Sequence, residues 1–218
     1  MKRGSPAKYW LAMFLLFLVV LLGGCQENKE QHVKPAKMNV EDLPDVRAFQ
    51  DEFTREFLQL TEETREGYYP FMSGTGAYEM DFPAGGIVSE KLYSINKKGF
   101  ESFFIGVHQL EREALISINY NSMYVNIEST QDVLRKQLDE DLKFNKYDSN
   151  DLEIYAATFT FQKGYGMAGV ILNKKSDGGG VLVTYESNLI SKSDQGKQKE
   201  KIIKWMKSFK FNNNMKKE

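Results

Sequence analysis

The chain opens polar and basic, then turns wholly apolar. Lys2, Arg3 and Lys8 precede an unbroken run of 13 apolar residues, Trp10 to Leu22, which ends at Leu22-Gly23-Gly24-Cys25. A helix needs about 20 residues to cross a hydrocarbon core of about 30 Å, so this run has the proportions of a signal-peptide h-region. Gln26 to Met38 is rich in Gln, Glu, Lys and Asn. It buries too little to offset chain entropy, and residues 25–43 read as a flexible tether. Periodicity begins after Pro44. Val46, Phe49, Phe53, Phe57 and Leu60 recur at spacings of 3, 4, 4 and 3, which predicts an amphipathic helix over about 45–66, stopped by Gly67. Its other face carries Asp51, Glu52, Glu56, Glu62, Glu63 and Glu66. The aromatic stripe is expected to dock on the domain core; left exposed, it would be a groove-binding face.

Beyond Tyr69-Pro70 and Ser73-Gly74-Thr75-Gly76, which read as loop, the pattern turns to strands. They are expected over Ala77–Phe82, Val88–Ile95, Gly99–Val107 and Ala114–Tyr120. Val133, Leu134, Leu138 and Leu142 then share a helical face, predicting a helix over about 130–144 capped by Ser129 or Thr130. Leu152–Gln162, Gly166–Asn173 and Val181–Ser187 are longer strands joined by Gly-containing turns, an antiparallel meander. A helix over about Asp194–Met206 leads into Ser208-Phe209-Lys210-Phe211, a final extended segment, and residues 213–218 are a frayed tail. The reading is α+β: one domain over 44–212, in which an antiparallel sheet carries helices over about 76–212 and follows the amphipathic N-terminal helix.

Two resemblances enter on these residues. Leu22-Gly23-Gly24-Cys25 resembles the lipobox of bacterial lipoproteins. That implies a removable signal peptide over 1–24, a diacylglycerol on the thiol of Cys25, and attachment to the extracytoplasmic face of the cell membrane. Cys25 is the single cysteine of the chain. It precedes a polar segment rather than a pocket with a base, so it does not read as a nucleophile. Each buried methylene contributes about 0.8 kcal/mol, so two or three acyl chains anchor stably. The domain in turn resembles the PsbP-like α/β/α sandwich. A leading strand ends in Phe82-Pro83, a helix precedes a three-strand meander, and a closing helix feeds Lys207-Ser208-Phe209-Lys210-Phe211. The Trp usual shortly after that Pro is replaced by Ala84-Gly85-Gly86. The resemblance implies a non-catalytic scaffold that binds partners, and it carries no site residue across.

Composition narrows the chemistry. The formal charge is −1, and loss of Lys2, Arg3 and Lys8 with the signal segment makes it about −4. No basic patch interleaved with aromatics appears, so nucleic acid is not an expected partner. The tail lysines Lys207, Lys210, Lys216 and Lys217 read as solvated. Of the two histidines, His32 lies in the tether and His108 ends an apolar strand, too few for zinc or for a nucleophile–base pair. Asp148-Ser149-Asn150-Asp151 has oxygens but lacks the Gly and terminal Glu of a calcium loop. Gly164-Tyr165-Gly166-Met167-Ala168-Gly169 spells a dinucleotide fingerprint, yet it opens a strand rather than a helix; Gly164 and Gly166 read as hairpin residues and Gly169 as a bulge or close-packing position. Asp139, Glu140 and Asp141 read as a solvated face. No catalytic residue, metal site or cofactor is expected.

The aromatic content, 11 Tyr and 15 Phe, fits a core and leaves Tyr68, Tyr69 and Phe71 as a candidate interaction surface. The functional expectation is a membrane-anchored binding or assembly module for a protein or other envelope partner. A second reading is a small hydrolase using Asp and Glu on envelope glycans, which would need two carboxylates about 5–9 Å apart in a cleft. A third is a chaperone-like structural lipoprotein acting through Phe49, Phe53 and Phe57. Cys25→Ala or Cys25→Ser is expected to leave the fold intact but release or misprocess the protein, read by fractionation; full membrane partition in processed form would contradict the anchor.

Overall fold

A computed structural model describes residues 33–212 except 98, 110–111, 124–125, 150, 162–163, 176–178 and 189–190. The expected signal segment, Cys25, His32 and the tail 213–218 lie outside the described residues. Val33–Glu218 forms one compact unit.

Two antiparallel sheets build it. β1 (Tyr68–Met72), β2 (Tyr78–Pro83) and β11 (Lys210–Phe211) form a three-stranded sheet with β2 central. β3 (Gly86–Val88), β4 (Ser94–Asn96), β5 (Phe100–Gln109), β6 (Arg112–Asn121), β7 (Asn145–Asp148), β8 (Leu152–Phe161), β9 (Gly164–Asn173) and β10 (Gly180–Asn188) form an eight-stranded sheet. Its order is β3-β5-β6-β10-β9-β8-β7, with β4 also pairing β5. The chain leaves β6 in mid-sheet and must reach the far edge before the meander β7–β10 brings it back beside β6. The helix α3 (Ile127–Leu138) makes that crossing on the outer face. Its Leu134, with Leu142 just beyond, packs on Ala157, Phe159, Ala168 and Val170. The helix α4 (Lys192–Met206) lies on the opposite, inner face and buries Ile202, Ile203, Trp205 and Met206. Cβ atoms at Gly169 would come within 2.7 Å of Met206 Cε, so that glycine is the close-packing position expected.

The inner face of the large sheet meets the small one through aromatic rings. Phe71 of β1 stacks between Phe57 and Phe82, each with its ring centre 5.3 Å away, and lies 5.7 Å from Phe103 of β5. All but Phe57 are fully buried, and Phe57 is 6% exposed. Trp205 Nε1 donates to Asp81 O at 2.7 Å, and Ser208 Oγ accepts from Asp81 N at 3.0 Å, which pins the end of α4 to β2.

One buried charge accompanies this contact. Glu101 points inward on β5, in phase with Phe103 and Ile105, and has no exposure. Its carboxylate accepts from Gly74 N at 2.8 Å, Tyr93 Oη at 2.9 Å and Thr75 Oγ1 at 3.3 Å. The β1–β2 turn is thereby bonded to β5. Burial raises the Glu101 pKa, partly offset by those donors. Burial also raises Tyr78 well above its ordinary range, and the Tyr78 hydroxyl has no hydrogen-bond partner.

Several expectations change. In place of one helix over 45–66 there are two single turns, α1 (Arg47–Gln50) and α2 (Glu52–Arg55). Asp51 is extended between them, and its Oδ1 accepts from both Thr54 N and Thr54 Oγ1, at 2.8 and 2.6 Å. A new cap thus interrupts the helix. After Arg55 the chain runs along β1, where Gln59 N donates to Pro70 O and Met72 N to Phe57 O. Residues 68–72 are strand, not loop; Pro70 is tolerated because β1 is a sheet edge. Residues 33–43, expected in the tether, lie on the domain, with Pro35 and Leu43 buried. The strand expected over 88–95 is split into β3, a 3₁₀ turn and β4, and β7 is additional. α3 begins early because Asn126, not Ser129 or Thr130, caps it by accepting from Ser129 N at 2.9 Å. It stops at Asp139, which has φ of 52°.

Phe71→Ala is expected to cost about 3–5 kcal/mol, read by chemical denaturation, whereas Val133→Ala, 54% exposed on α3, stays within about 0.5 kcal/mol. Glu101→Ala strands three donors and should cost about 2 kcal/mol. Because the folded pKa of Glu101 is raised, its favourable contribution is full below about 4.5 and fades as pH rises through the raised value. Glu101→Gln should flatten that fall in a pH series of melts; an unchanged slope would contradict the assignment.

Candidate functional site

The outer face of the large sheet is covered unevenly. α3 packs through Leu134 over Ala157, Phe159, Ala168 and Val170 of β8 and β9, with Leu182 of β10 at the margin, and β3, β5 and β6 are left open. On that open half the register sets Ile87, Gly106 and Leu115 in one row, with Phe104 opposite Ser117 in the next. Leu115 is 46% exposed and neighbouring Leu92 is 58% exposed. A Cβ at Gly106 would meet nothing within 4 Å, so the sheet floor is bare there. The result is a shallow groove of about 800 Å³ with an apolar floor. Its rim is charged: Arg47 donates to Gly85 O at 3.3 Å, and His108 Nδ1 lies 3.4 Å from Glu113 Oε1. Farther along the same face Ser102 donates to Asn119 at 2.7 Å and Asn119 to Ser117 at 3.1 Å, an internally satisfied polar track.

A second, smaller groove of about 290 Å³ lies between β7 and α4, with Tyr147 and Ile203 beside Lys199, Lys204 and Lys207. Each groove is lined by a single carboxylate, Glu113 in the first and Glu200 in the second. Among the described residues no cluster of three or more His, Cys, Asp or Glu side chains could hold a metal ion.

The residues picked out from sequence fall elsewhere. Tyr69 is 5% exposed and Phe71 fully buried, so both belong to the core rather than to an interaction surface. Tyr68 is half-buried under Arg65, whose guanidinium sits 3.5 Å from the ring centre and pairs with Asp81 at 2.6 Å. Phe49 and Phe57 are buried, and Phe53 packs edge-on against Phe57 and Tyr93. No aromatic stripe is left free for a client chain. His108 is on the open face and not in the core. Gly164 and Gly166 lie within β9 beneath the rings of Phe161 and Phe159, and not at the start of a helix. The Asp148–Asp151 stretch joins β7 to β8, with Lys174 and Lys175 paired to its two aspartates at 2.8 Å each. The open face itself was missed, although Phe103-Phe104-Ile105 and Leu115-Ile116 are consecutive apolar pairs in strands, the mark of a sheet apolar on both sides.

Comparison with known proteins is informative at the level of family. The family model YvcA_Mog1p, described as "Putative lipoprotein YvcA", matches residues 44–210. The protein of that description from Bacillus subtilis (strain 168) is 28% identical over 232 aligned positions, covering 91% of this chain and 95% of its own. A crystal structure of a protein from Bacteroides thetaiotaomicron VPI-5482 aligns with 71% of this chain and 52% of its own, at a TM-score of 0.40 and 10% identity; that likeness is too low to carry an argument. No helix among the described residues is long and apolar enough to cross a membrane. The match runs from just before α1 to the start of β11, and the chain belongs to the YvcA lipoprotein family.

Proposed function

We propose that the chain is a non-catalytic binding or assembly module of the cell envelope. In this reading the diacylglycerol on Cys25 holds it at the extracytoplasmic face of the cell membrane, and the open half of the large sheet receives a protein partner. One observation carries the proposal. Leu92 and Leu115 are about half exposed beside half-buried Ile87 and Phe104, on a face that elsewhere is closed by α3. Contiguous exposed apolar surface with a polar rim is characteristic of protein contact sites. Family membership supports the lipid anchor.

The non-catalytic part rests on where the carboxylates are. A glycan hydrolase would set two of them about 5–9 Å apart in a cleft, whereas each groove here has one. Glu101, the carboxylate with a raised pKa, is wholly buried and occupied by its three donors. The layering favours the PsbP-like reading of the domain: α3 on one face of the large sheet, α4 on the other, and β11 returning to pair with β2.

The test introduces a charge into the open face. Leu115→Asp and Phe104→Asp should abolish recovery of the partner cross-linked to the lipidated protein in membranes, with thermal stability within about 1 kcal/mol of wild type. Val133→Asp on exposed α3 should leave recovery unchanged. Equal loss in both faces, or no loss in either, would contradict the assignment.

A further inference from the structure

The outward face of α4 is rich in lysine. Between Lys192 and Lys210 stand seven lysines, Lys192, Lys197, Lys199, Lys201, Lys204, Lys207 and Lys210, against two carboxylates, Asp194 and Glu200. Asp194 is engaged with the capping hydroxyl of Ser191 at 2.7 Å. With Ile202, Ile203, Trp205 and Met206 turned inward, Lys197, Lys201 and Lys204 share the exposed side, and Lys207 continues the row. Among the described residues none of these lysines forms an ion pair, whereas Lys146, Lys174 and Lys175 each hold a carboxylate. Glu200, three residues after Lys197 and four before Lys204, offsets part of the repulsion among these like charges. Beside the row lies the small groove, whose apolar floor, Tyr147 and Ile203, is edged by Lys199, Lys204 and Lys207 and by one carboxylate, Glu200. The opposite charge collects elsewhere: Glu41, Asp42, Asp45, Asp51, Glu52 and Glu56 precede β1.

We infer that the lysine face of α4 docks on the anionic phosphate headgroups of the membrane that holds the chain. Cations meet phosphate along the row, and the apolar groove floor faces the glycerol region. The inference rests on the proposed anchor for its location. The folded unit begins at Val33, and the seven intervening residues after Cys25 span at most about 25 Å, so the domain is kept within reach of headgroups. Nucleic acid fits less well, since the aromatic beside the row, Tyr147, is half-buried and its ring already faces Lys199. The pose has a consequence for the proposed binding face. α4 lies on the inner side of the large sheet and Leu115 on its outer side, so docking through α4 turns Leu115 away from the membrane and toward a partner.

The experiment uses Val33–Glu218, the compact unit that contains the complete described core, without Cys25. Flotation with vesicles of equal phosphatidylglycerol and phosphatidylcholine should show binding that is lost in 0.5 M salt and absent with phosphatidylcholine alone. Each lysine near such a surface contributes about fivefold, so Lys197→Gln/Lys201→Gln/Lys204→Gln should weaken partition by about a hundredfold at unchanged melting temperature. Lys34→Gln/Lys37→Gln/Lys91→Gln, with the same change in net charge, should weaken it less than about tenfold. No binding to the anionic vesicles, or equal effects of the two triples, would overturn the inference. So would poly(glycerol phosphate) or single-stranded DNA binding that the vesicles do not displace. Because the unit lacks Cys25, these outcomes are independent of whether Cys25 is lipidated and of whether Leu115 contacts a partner.

Discussion

The stack of Phe71 between Phe57 and Phe82, against Phe103 of the facing sheet, is the contact on which the other features depend. It joins two sheets that share no strand. Once it forms, the turn after β1 is carried over β5, and Glu101 beneath it is removed from water. The backbone N–H of Gly74 and the hydroxyls of Thr75 and Tyr93 then become necessary partners for a carboxylate with nowhere else to bond. A Cβ at Gly74 would collide with the Tyr93 hydroxyl, so this residue can only be glycine while the clamp is closed. The aromatic slab and the buried carboxylate are therefore one device, apolar in its bulk and specific at its edge.

That device uses up the inner face of the large sheet. The small sheet, the two N-terminal turns and α4 cover it between them, which leaves the outer face and the outward side of α4 for contact. The outer face is only half covered because α3 packs over residues of β8, β9 and β10 and not over β3, β5 and β6. The open half and the lysine side of α4 consequently look in opposite directions. On the proposed reading, the lysine side faces the membrane and the open half faces a partner.

Most of the fold was legible in the sequence where hydrophobic period and turn chemistry agreed. The meander over β8–β10, the helix through Leu134 and the closing helix before Ser208 appear where alternation, Gly turns and the 3.6-residue stripe place them. The failures have identifiable physical causes. Phe49, Phe53 and Phe57 have helical spacing, but Asp51 bonds Thr54 and breaks the helix, and the rings reach the core from separate turns. Tyr69 and Phe71 looked loop-like because of Pro70, which an edge strand accommodates. β7 is too polar and short to announce itself. Glu101 could have been found, since Glu101, Phe103 and Ile105 alternate in one phase and place the acid inward. The open groove could not, because coverage depends on how far α3 reaches, which is a tertiary property.

The most direct test of the account is thiol labelling of Leu115→Cys in spheroplasts and in purified protein, with Val133→Cys alongside. A membrane-impermeant maleimide should modify the purified Leu115→Cys protein readily, since the native side chain is 46% exposed, and should modify it much more slowly in spheroplasts, where the proposed partner would cover that face. Val133→Cys should react equally in both. Equal reactivity of Leu115→Cys in spheroplasts and in solution would contradict the claim that the open face is a binding surface, and lack of reactivity in purified protein would contradict the fold that exposes it.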